Sequence, residues 1–452
     1  MMARMQQHGE APRHADTVGR PEPGAASTRG GTPCRGARQP RVVLVTMIWW
    51  TDPETGPGQR TRLVFRALKR VGEVHVACLG TTDRAAATRA FPGAAAVHAL
   101  PQGIFGGPHG GTGAWLRDVA TRILLPSRRY RPDPEMRSSL LRLADHAHTT
   151  LYVFRFARTF CLAGVVADPA QARLCVVDVD DRDDQRVQSQ LRRRFGAALA
   201  DGPAGRLCVA GLRRTLARCL DRASQVWVVK PQDRLPDLRV PCVVVPNAPL
   251  AGAAADSIGP PSDGDAVIFV GNPAYGPNTD GVLWFLRECW PRIRRARPRA
   301  RLRLVGGADW GRHVDAPGVE VAGRVAALAP EYGAARVAIC PILSGAGSQV
   351  KLIEAAAFGR PVVATSGVAD GFGPALRSAL AVADRPAAFA DAVIRYLQDP
   401  AAADTAGRAL RETQRSSFTA DAVEDRIVRE LAALVASQGA EAPHSSPGRM
   451  TT

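Results

Sequence analysis

Lysine is nearly absent from this 452-residue chain: of 59 basic residues only Lys69, Lys230 and Lys351 are lysines. With abundant alanine and glycine, so strong an arginine bias is what a GC-rich genome writes, and it strips functional meaning from part of the net charge of +17. Aromatic residues make up only 6%. Without aromatics interleaved among basic residues there is no stacking platform for nucleic acid, so no nucleic-acid partner is expected. No C-x-x-C pair occurs among the nine cysteines, an odd number. Several lie in apolar runs, as Cys340 does in Val337-Ala-Ile-Cys-Pro341. They read as small buried hydrophobes of a reducing compartment, which argues against a disulfide framework and a zinc site. No apolar stretch reaches the roughly 18 residues of a membrane span. Residues 1–40 also lack the apolar segment of a secretory signal. The expectation is a cytoplasmic protein.

What is present is ordinary globular usage, 46% hydrophobic and 22% charged, in a length that predicts two or three domains. Residues 1–40 and 437–452 are polar, rich in Gly, Pro and Ser, and read as disordered tails. Between them short apolar runs alternate with amphipathic segments, the rhythm of α/β domains with parallel sheets. Arg41–Ile48 is a nearly continuous apolar run, as a strand buried on both faces should be. Strands are also expected at 74–80, 94–100, 151–156, 174–180, 225–230 and 240–246, with helices at 61–71, 114–125 and 187–222. Residues 248–265 lose all periodicity and read as a linker. The rhythm then restarts with Ala266–Gly271, a helix over 280–296 and Arg301–Gly306. Strands at 319–322, 337–343 and 361–365 follow, with a helix over 349–358 and closing helices near 386–398 and 420–437. The division is therefore an N-terminal Rossmann-like domain over 41–247, a linker over 248–265, a C-terminal Rossmann-like domain over 266–400, and closing helices over 401–436. Two doubly wound domains facing across a cleft bind ligands at the carboxyl ends of their strands.

The most informative stretch is Cys340-Pro-Ile-Leu-Ser-Gly-Ala-Gly-Ser-Gln-Val-Lys-Leu-Ile-Glu354, continued by Ala-Ala-Ala-Phe-Gly-Arg-Pro-Val-Val-Ala-Thr365. A strand runs into a glycine turn ending at Gly347 and then into a helix with Ser348 as its expected N-cap. Free amides and the helix dipole suit such a turn to a diphosphate. Lys351 stands in the first turn, where a cation opposes the dipole; an anionic ligand would explain its presence. Glu354 follows three residues later on the same face, where a carboxylate can accept from two ribose hydroxyls.

This stretch resembles the nucleotide-sugar motif of glycosyltransferase family 4, the group 1 glycosyltransferases of GT-B fold, in the subgroup with G-x-Q-x-K-x-x-E. Phe269-Val-Gly-Asn-Pro-Ala-Tyr-Gly-Pro-Asn-Thr-Asp-Gly-Val-Leu-Trp-Phe285 resembles that subgroup's entry into the C-terminal domain. Arg303-Leu-Val-Gly306, Gly318-Val-Glu-Val-Ala-Gly-Arg-Val325 and Val243-Val-Val-Pro-Asn247 keep the family's order. Ala346 stands where the family's common pair of glutamates has its first member. Asn272 and Asn278 stand near where many members carry Arg and Lys. The resemblance implies a retaining, metal-independent hexosyltransferase that moves a sugar from a nucleoside diphosphate sugar to an acceptor hydroxyl. It implies a nucleotide-sugar site at Gly271, Asn278, Arg324, Val325, Gly347, Ser348, Lys351 and Glu354, with Lys351 also catalytic. No cofactor is implied, because the nucleotide sugar is a substrate. The acceptor it suggests is a saccharide or lipid-linked saccharide in exopolysaccharide or cell-surface glycan synthesis.

In the N-terminal half, Thr55-Gly-Pro-Gly-Gln-Arg-Thr-Arg62 resembles the family's glycine loop and adds Gly58 to the site; a plain turn with solvated arginines is the other reading. Val177-Asp-Val-Asp-Asp-Arg-Asp-Asp184 crowds five carboxylates into seven positions. In isolation Asp178-Val-Asp180 is a metal-binding pattern. The two-domain rhythm favours the resemblance instead, which implies an acidic loop facing the cleft with no obligatory metal; Asp180 or Asp181 is expected to bind the acceptor hydroxyl, with helix capping and solvation as the other reading. Residues 182–222 carry ten arginines against four acids and read either as a solvated helical face or as a face for an anionic membrane. The alternatives to a transferase are an epimerase-like enzyme of the same fold and a non-catalytic nucleotide-sugar binding protein.

Overall fold

The computed structural model describes residues 39–440 except 53–54, 102–129, 146–147, 251–258, 260, 262–263, 308, 313 and 345–348. The expected helix at 114–125 lies outside the described residues, as does most of the 248–265 linker.

Among the described residues the first sheet contains β1 (Arg41–Met47), β2 (Glu73–Leu79), β3 (Ala96–Leu100), β4 (Thr150–Arg155), β5 (Arg173–Val179), β6 (Gln225–Val228) and β7 (Cys242–Val244). Its order is β3-β2-β1-β4-β5-β6-β7, and each neighbouring pair is parallel. The second sheet contains β8 (Ala266–Val270), β9 (Arg301–Val305), β10 (Val319–Gly323), β11 (Val337–Cys340), β12 (Val362–Ala364) and β13 (Ala381–Val382). Its order is β10-β9-β8-β11-β12-β13, again parallel throughout. Both are doubly wound α/β sheets. The strand order reverses direction beside β1 in one and beside β8 in the other, which opens a crevice at the carboxyl ends of those strands. β1 is buried from Val42 to Met47 because helices cover both its faces.

Local chemistry explains where the elements depart from the sequence reading. The first helix begins at Gly56 rather than 61, because the Thr55 hydroxyl accepts from Gly58 N at 3.1 Å and Pro57 suits the first turn. The expected helix at 187–222 is three: Asp183–Phe195, Ala197–Ala200 and Pro203–Leu220. Gly196 breaks it with φ of 82°, and Gly202-Pro203 breaks it again. The helix expected at 280–296 starts at Gly276 and takes a π turn over Phe285–Cys289 just before Pro291, which has no N–H to donate. Helix Pro386–Gln398 has the expected bounds. Helix Pro400–Ser417 opens the region read as closing helices, and Asp399 caps it by accepting from Ala402 N at 2.9 Å.

The last helix, Ala420–Ala440, returns to the first sheet. Val423, Ile427 and Leu431 are fully buried with Leu63, Val64 and Ala67 of helix Gly56–Leu68. Arg66 pairs with Glu424 at 2.9 Å and Arg70 with Asp425 at 2.7 Å. Among the described residues no helix is long and apolar enough to cross a membrane.

Candidate functional site

The chain after β1 enters its helix through a turn too tight for any side chain at Gly58, where a Cβ would fall 1.6 Å from the Asp52 carbonyl oxygen. That packing sets the next turn of the helix, and Gln59 and Arg60 project from it in different directions. Gln59 reaches the other sheet: its Nε2 donates to Glu354 Oε1 at 3.2 Å. Gln59 Oε1 is buried without a partner. This contact joins the crevices of the two sheets. The sequence reading quoted the loop but singled out only Gly58.

On the opposite side, helix Val350–Ala357 follows β11. Lys351, in its first turn, donates to Asn278 Oδ1 at 2.6 Å and to Gln349 Oε1 at 3.0 Å, and its ammonium lies 5.1 Å from the centre of the Phe269 ring. Burial holds the Lys351 pKa below the ordinary lysine value, with Cys340 and Glu354 opposing that shift. Glu354 is 6% exposed. Its pKa is raised, chiefly by burial, while the Gln59 hydrogen bond and the Lys351 charge pull the other way. The ammonium of this half-buried lysine touches neutral amide oxygens and is short of negative charge, and the neighbouring carboxylate is short of donors.

Asn278, 4% exposed, is the hub of the adjoining loop, donating through Nδ2 to the Asn272 carbonyl at 2.8 Å. Gly271 lies beneath it, where a Cβ would come within 2.8 Å of both Asn278 Nδ2 and the Phe269 ring. Gly271, Asn278, Lys351 and Glu354 therefore come together in one place. Arg324 and Val325 come from another part of the second sheet. They follow the edge strand β10, separated from β11 by β9 and β8. Gly347 and Ser348 lie outside the described residues, and the helix proper begins at Val350 with Gln349 as its N-cap.

The acidic loop after β5 has two environments. Asp178 is fully buried and bound by two arginines, Arg60, whose Nη2 lies 2.6 Å from Oδ1, and Arg155, whose Nη1 donates to Oδ2. Burial alone would raise its pKa, but the two guanidiniums outweigh it and hold the carboxyl below its usual range. Arg155 also donates to Asp180 Oδ2 at 3.0 Å and to Thr61 Oγ1 at 3.0 Å, and Asn247 Nδ2 donates to Asp180 Oδ1 at 3.1 Å. Arg60 is 1% exposed, so it is no solvated arginine. Together these residues tie the loop after β1, the end of β5 and the end of β7 into one buried network. The sequence shows its residue types but not that Arg155, at the end of β4, completes it.

Asp181 and Asp233 lie beyond those pairs. Asp181 Oδ1 and both carboxylate oxygens of Asp233 are buried without a hydrogen-bond partner. Burial first, then the charges of Asp180, Asp183 and Asp233, push Asp181 up to about 7 against the pull of Arg186. Asp233 rises to about 6, again mainly by burial. Burial first, and then the charge of Asp181, raise the pKa of Tyr275 at the start of the opposite helix. Among the described residues no group of three His, Cys, Asp or Glu side chains is arranged to hold a metal ion.

Solved structures share this architecture. A glycosyltransferase from Rickettsia africae aligns with a TM-score of 0.56 at 11% identity, covering 89% of this chain and 100% of its own. An α,α-trehalose 6-phosphate synthase from Burkholderia multivorans aligns with a TM-score of 0.57 at 13% identity, over 92% of this chain and 100% of its own. Anabaena HepE, in complex with UDP and glucose, gives 0.56 at 14% identity over 87% of this chain and 99% of its own. No curated protein matches the chain. The described chain has the GT-B fold, and residues 264–399, which include Asn278, Lys351 and Glu354, match the family of glycosyl transferases group 1.

Proposed function

We propose that the protein is a retaining glycosyltransferase that moves a hexosyl group from a nucleoside diphosphate sugar to an acceptor hydroxyl, without a metal or other cofactor. The observation that carries this reading is the placement of half-buried Lys351 and buried Glu354 on helix Val350–Ala357, with Gln59 reaching Glu354 across the cleft. The diphosphate supplies the negative charge that Lys351 lacks, and Gly347 and Ser348, which precede the helix in the sequence, belong to the same site by the motif they share with Lys351 and Glu354. The ribose hydroxyls supply the donors that Glu354 lacks. Gly58, Gly271, Asn278 and, from the rim, Arg324 and Val325 complete the donor site. At the start of helix Gly56–Leu68, Gly58 lets the Asp52 carbonyl pack against the helix and so fixes the loop beside the donor.

The work of such a site is to stabilise a departing diphosphate and an oxocarbenium-like sugar with charge already in place. Lys351 does this directly, as the cation beside the leaving group. Asp180 is committed to Arg155 and Asn247, so Asp181, with its unpartnered oxygen, is the better acceptor-hydroxyl ligand. Support for a nucleotide-sugar donor comes from the group 1 match over 264–399 and from HepE, a protein of like fold seen with UDP and glucose. The acceptor we infer is a saccharide or lipid-linked saccharide of a cell-surface glycan or exopolysaccharide. It is met in the cytoplasm or at the inner face of an anionic membrane by the basic segment 182–222.

The deciding experiment assays donor hydrolysis and transfer with a panel of nucleotide sugars, with and without EDTA. Turnover that persists under chelation is expected. No turnover with any donor would leave only a binding protein. Activity lost to EDTA and restored by manganese would return Asp178 and Asp180 to a metal role.

A further inference from the structure

At the end of the second sheet away from the cleft, three arginines come together from separate elements. Arg336 stands just before β11 and Arg360 just before β12, at the amino ends of strands whose carboxyl ends face the crevice. Arg411 belongs to helix Pro400–Ser417. Arg360 is 4% exposed, yet among the described residues its guanidinium has one acceptor, the Gly259 carbonyl, 2.8 Å from Nη2. Its Nε is buried without a partner, and so is that of Arg336. Arg336 has a carboxylate at hand, Asp404 at 3.3 Å from Nη1. Among the described residues Arg360 has none within ion-pair distance. Burial lowers the Arg360 pKa, the charges of Arg336 and Arg411 lower it further, and only Asp404 opposes them among the described residues.

A lysine so placed would shed its proton; a guanidinium cannot at any ordinary pH. A charge removed from water beside like charges is costly unless an anion accompanies it. The planar forks of Arg336 and Arg360 suit the oxygens of a tetrahedral oxyanion, which they can grip in pairs. We propose that Arg336, Arg360 and Arg411 form a second anion site, one that binds a phosphoryl dianion. The site is separate from the cleft and borders the segment joining the two sheets. Gly259 is held by Arg360, and a side chain at Gly264 would lie 4.0 Å from Arg336 Nη2.

The probes are inorganic phosphate and glycerol 2-phosphate, titrated into the full chain by calorimetry at constant ionic strength in chloride. Saturable binding is expected, weakened by roughly tenfold or more in Arg360→Gln and in Arg336→Gln, as for loss of a charge-assisted contact. It should be unchanged in Lys351→Ala, which alters the donor site alone. Asp404→Asn removes the competing carboxylate and should tighten binding, a gain that misfolding cannot mimic. Similar affinity for both probes identifies the ligand as the phosphoryl group of a metabolite, and binding of inorganic phosphate alone identifies the free ion. Absence of saturable binding, or binding untouched by both arginine variants, overturns the proposal. Binding lost only in Lys351→Ala would also overturn it, by placing the phosphate in the donor cleft.

Discussion

Replacing Glu354 by glutamine tests the donor site at its most exacting point. The carboxylate is 6% exposed, and Oε1 already accepts from Gln59 at 3.2 Å. Oε2 therefore remains for the ribose. A glutamine can keep its oxygen toward Gln59 only by turning its NH2 toward the ribose, or the reverse, so one set of contacts must fail. Losing charge-assisted hydrogen bonds of this kind should cost about 1–3 kcal/mol in kcat/KM, seen mainly as a higher donor KM. Fold stability should move the other way. Because the folded-state pKa of Glu354 is raised, its contribution to stability is fully present below the unfolded value of about 4.3 and is lost as pH rises through the folded one. The neutral glutamine escapes that loss, so the variant should melt no lower than wild type at pH near 8. The assay compares ribose and 2′-deoxyribose forms of the donor in both proteins. The wild-type preference for ribose should shrink in Glu354→Gln. An undiminished preference would show that Glu354 does not read the hydroxyls.

Lys351→Ala should weaken binding of the free nucleoside diphosphate by about 1.5–3 kcal/mol in calorimetry with the circular dichroism spectrum unchanged; equal affinity would remove Lys351 from the site. Asp178→Asn leaves Arg60 and Arg155 buried without their shared carboxylate and should destabilise the protein by about 3–5 kcal/mol in urea unfolding. A loss under about 1 kcal/mol would mean that the network is not structural. Asp181, pushed up to about 7, stabilises the fold below its unfolded pKa of about 3.9 and loses that contribution as pH rises toward 7. Asp181→Asn should therefore gain in Tm over wild type between about pH 5 and pH 8, and a constant difference across that range would contradict the raised pKa.

The two sheets were legible because buried parallel strands are continuous apolar runs, and β1, β4, β5 and β8 are of that kind. Lys351 and Glu354 were legible because helical spacing alone puts them on one face. Gln59 and Arg155 were not, since each acts on a partner far along the chain, 295 and 23 residues away, and no local pattern encodes such a meeting. The break at Gly196 could have been read from glycine in a long helical segment. The π turn before Pro291 could not, because proline alone does not say whether a helix will end, kink or insert a residue.

The return of helix Ala420–Ala440 to the first sheet means that the polypeptide passes between the halves twice, once at the linker and once between Ser417 and Ala420. Two crossings act like two pins of a door. They leave one easy axis of swing and resist twisting or sliding of one sheet past the other. They also make the halves poor candidates for separate life. A fragment ending at the linker would leave the apolar side of helix Gly56–Leu68 wet, and a fragment starting at β8 would trail Val423, Ile427 and Leu431 into solvent. Cutting the chain near residue 419 should therefore loosen the half built on the first sheet, although the cut falls at the far end of the sequence.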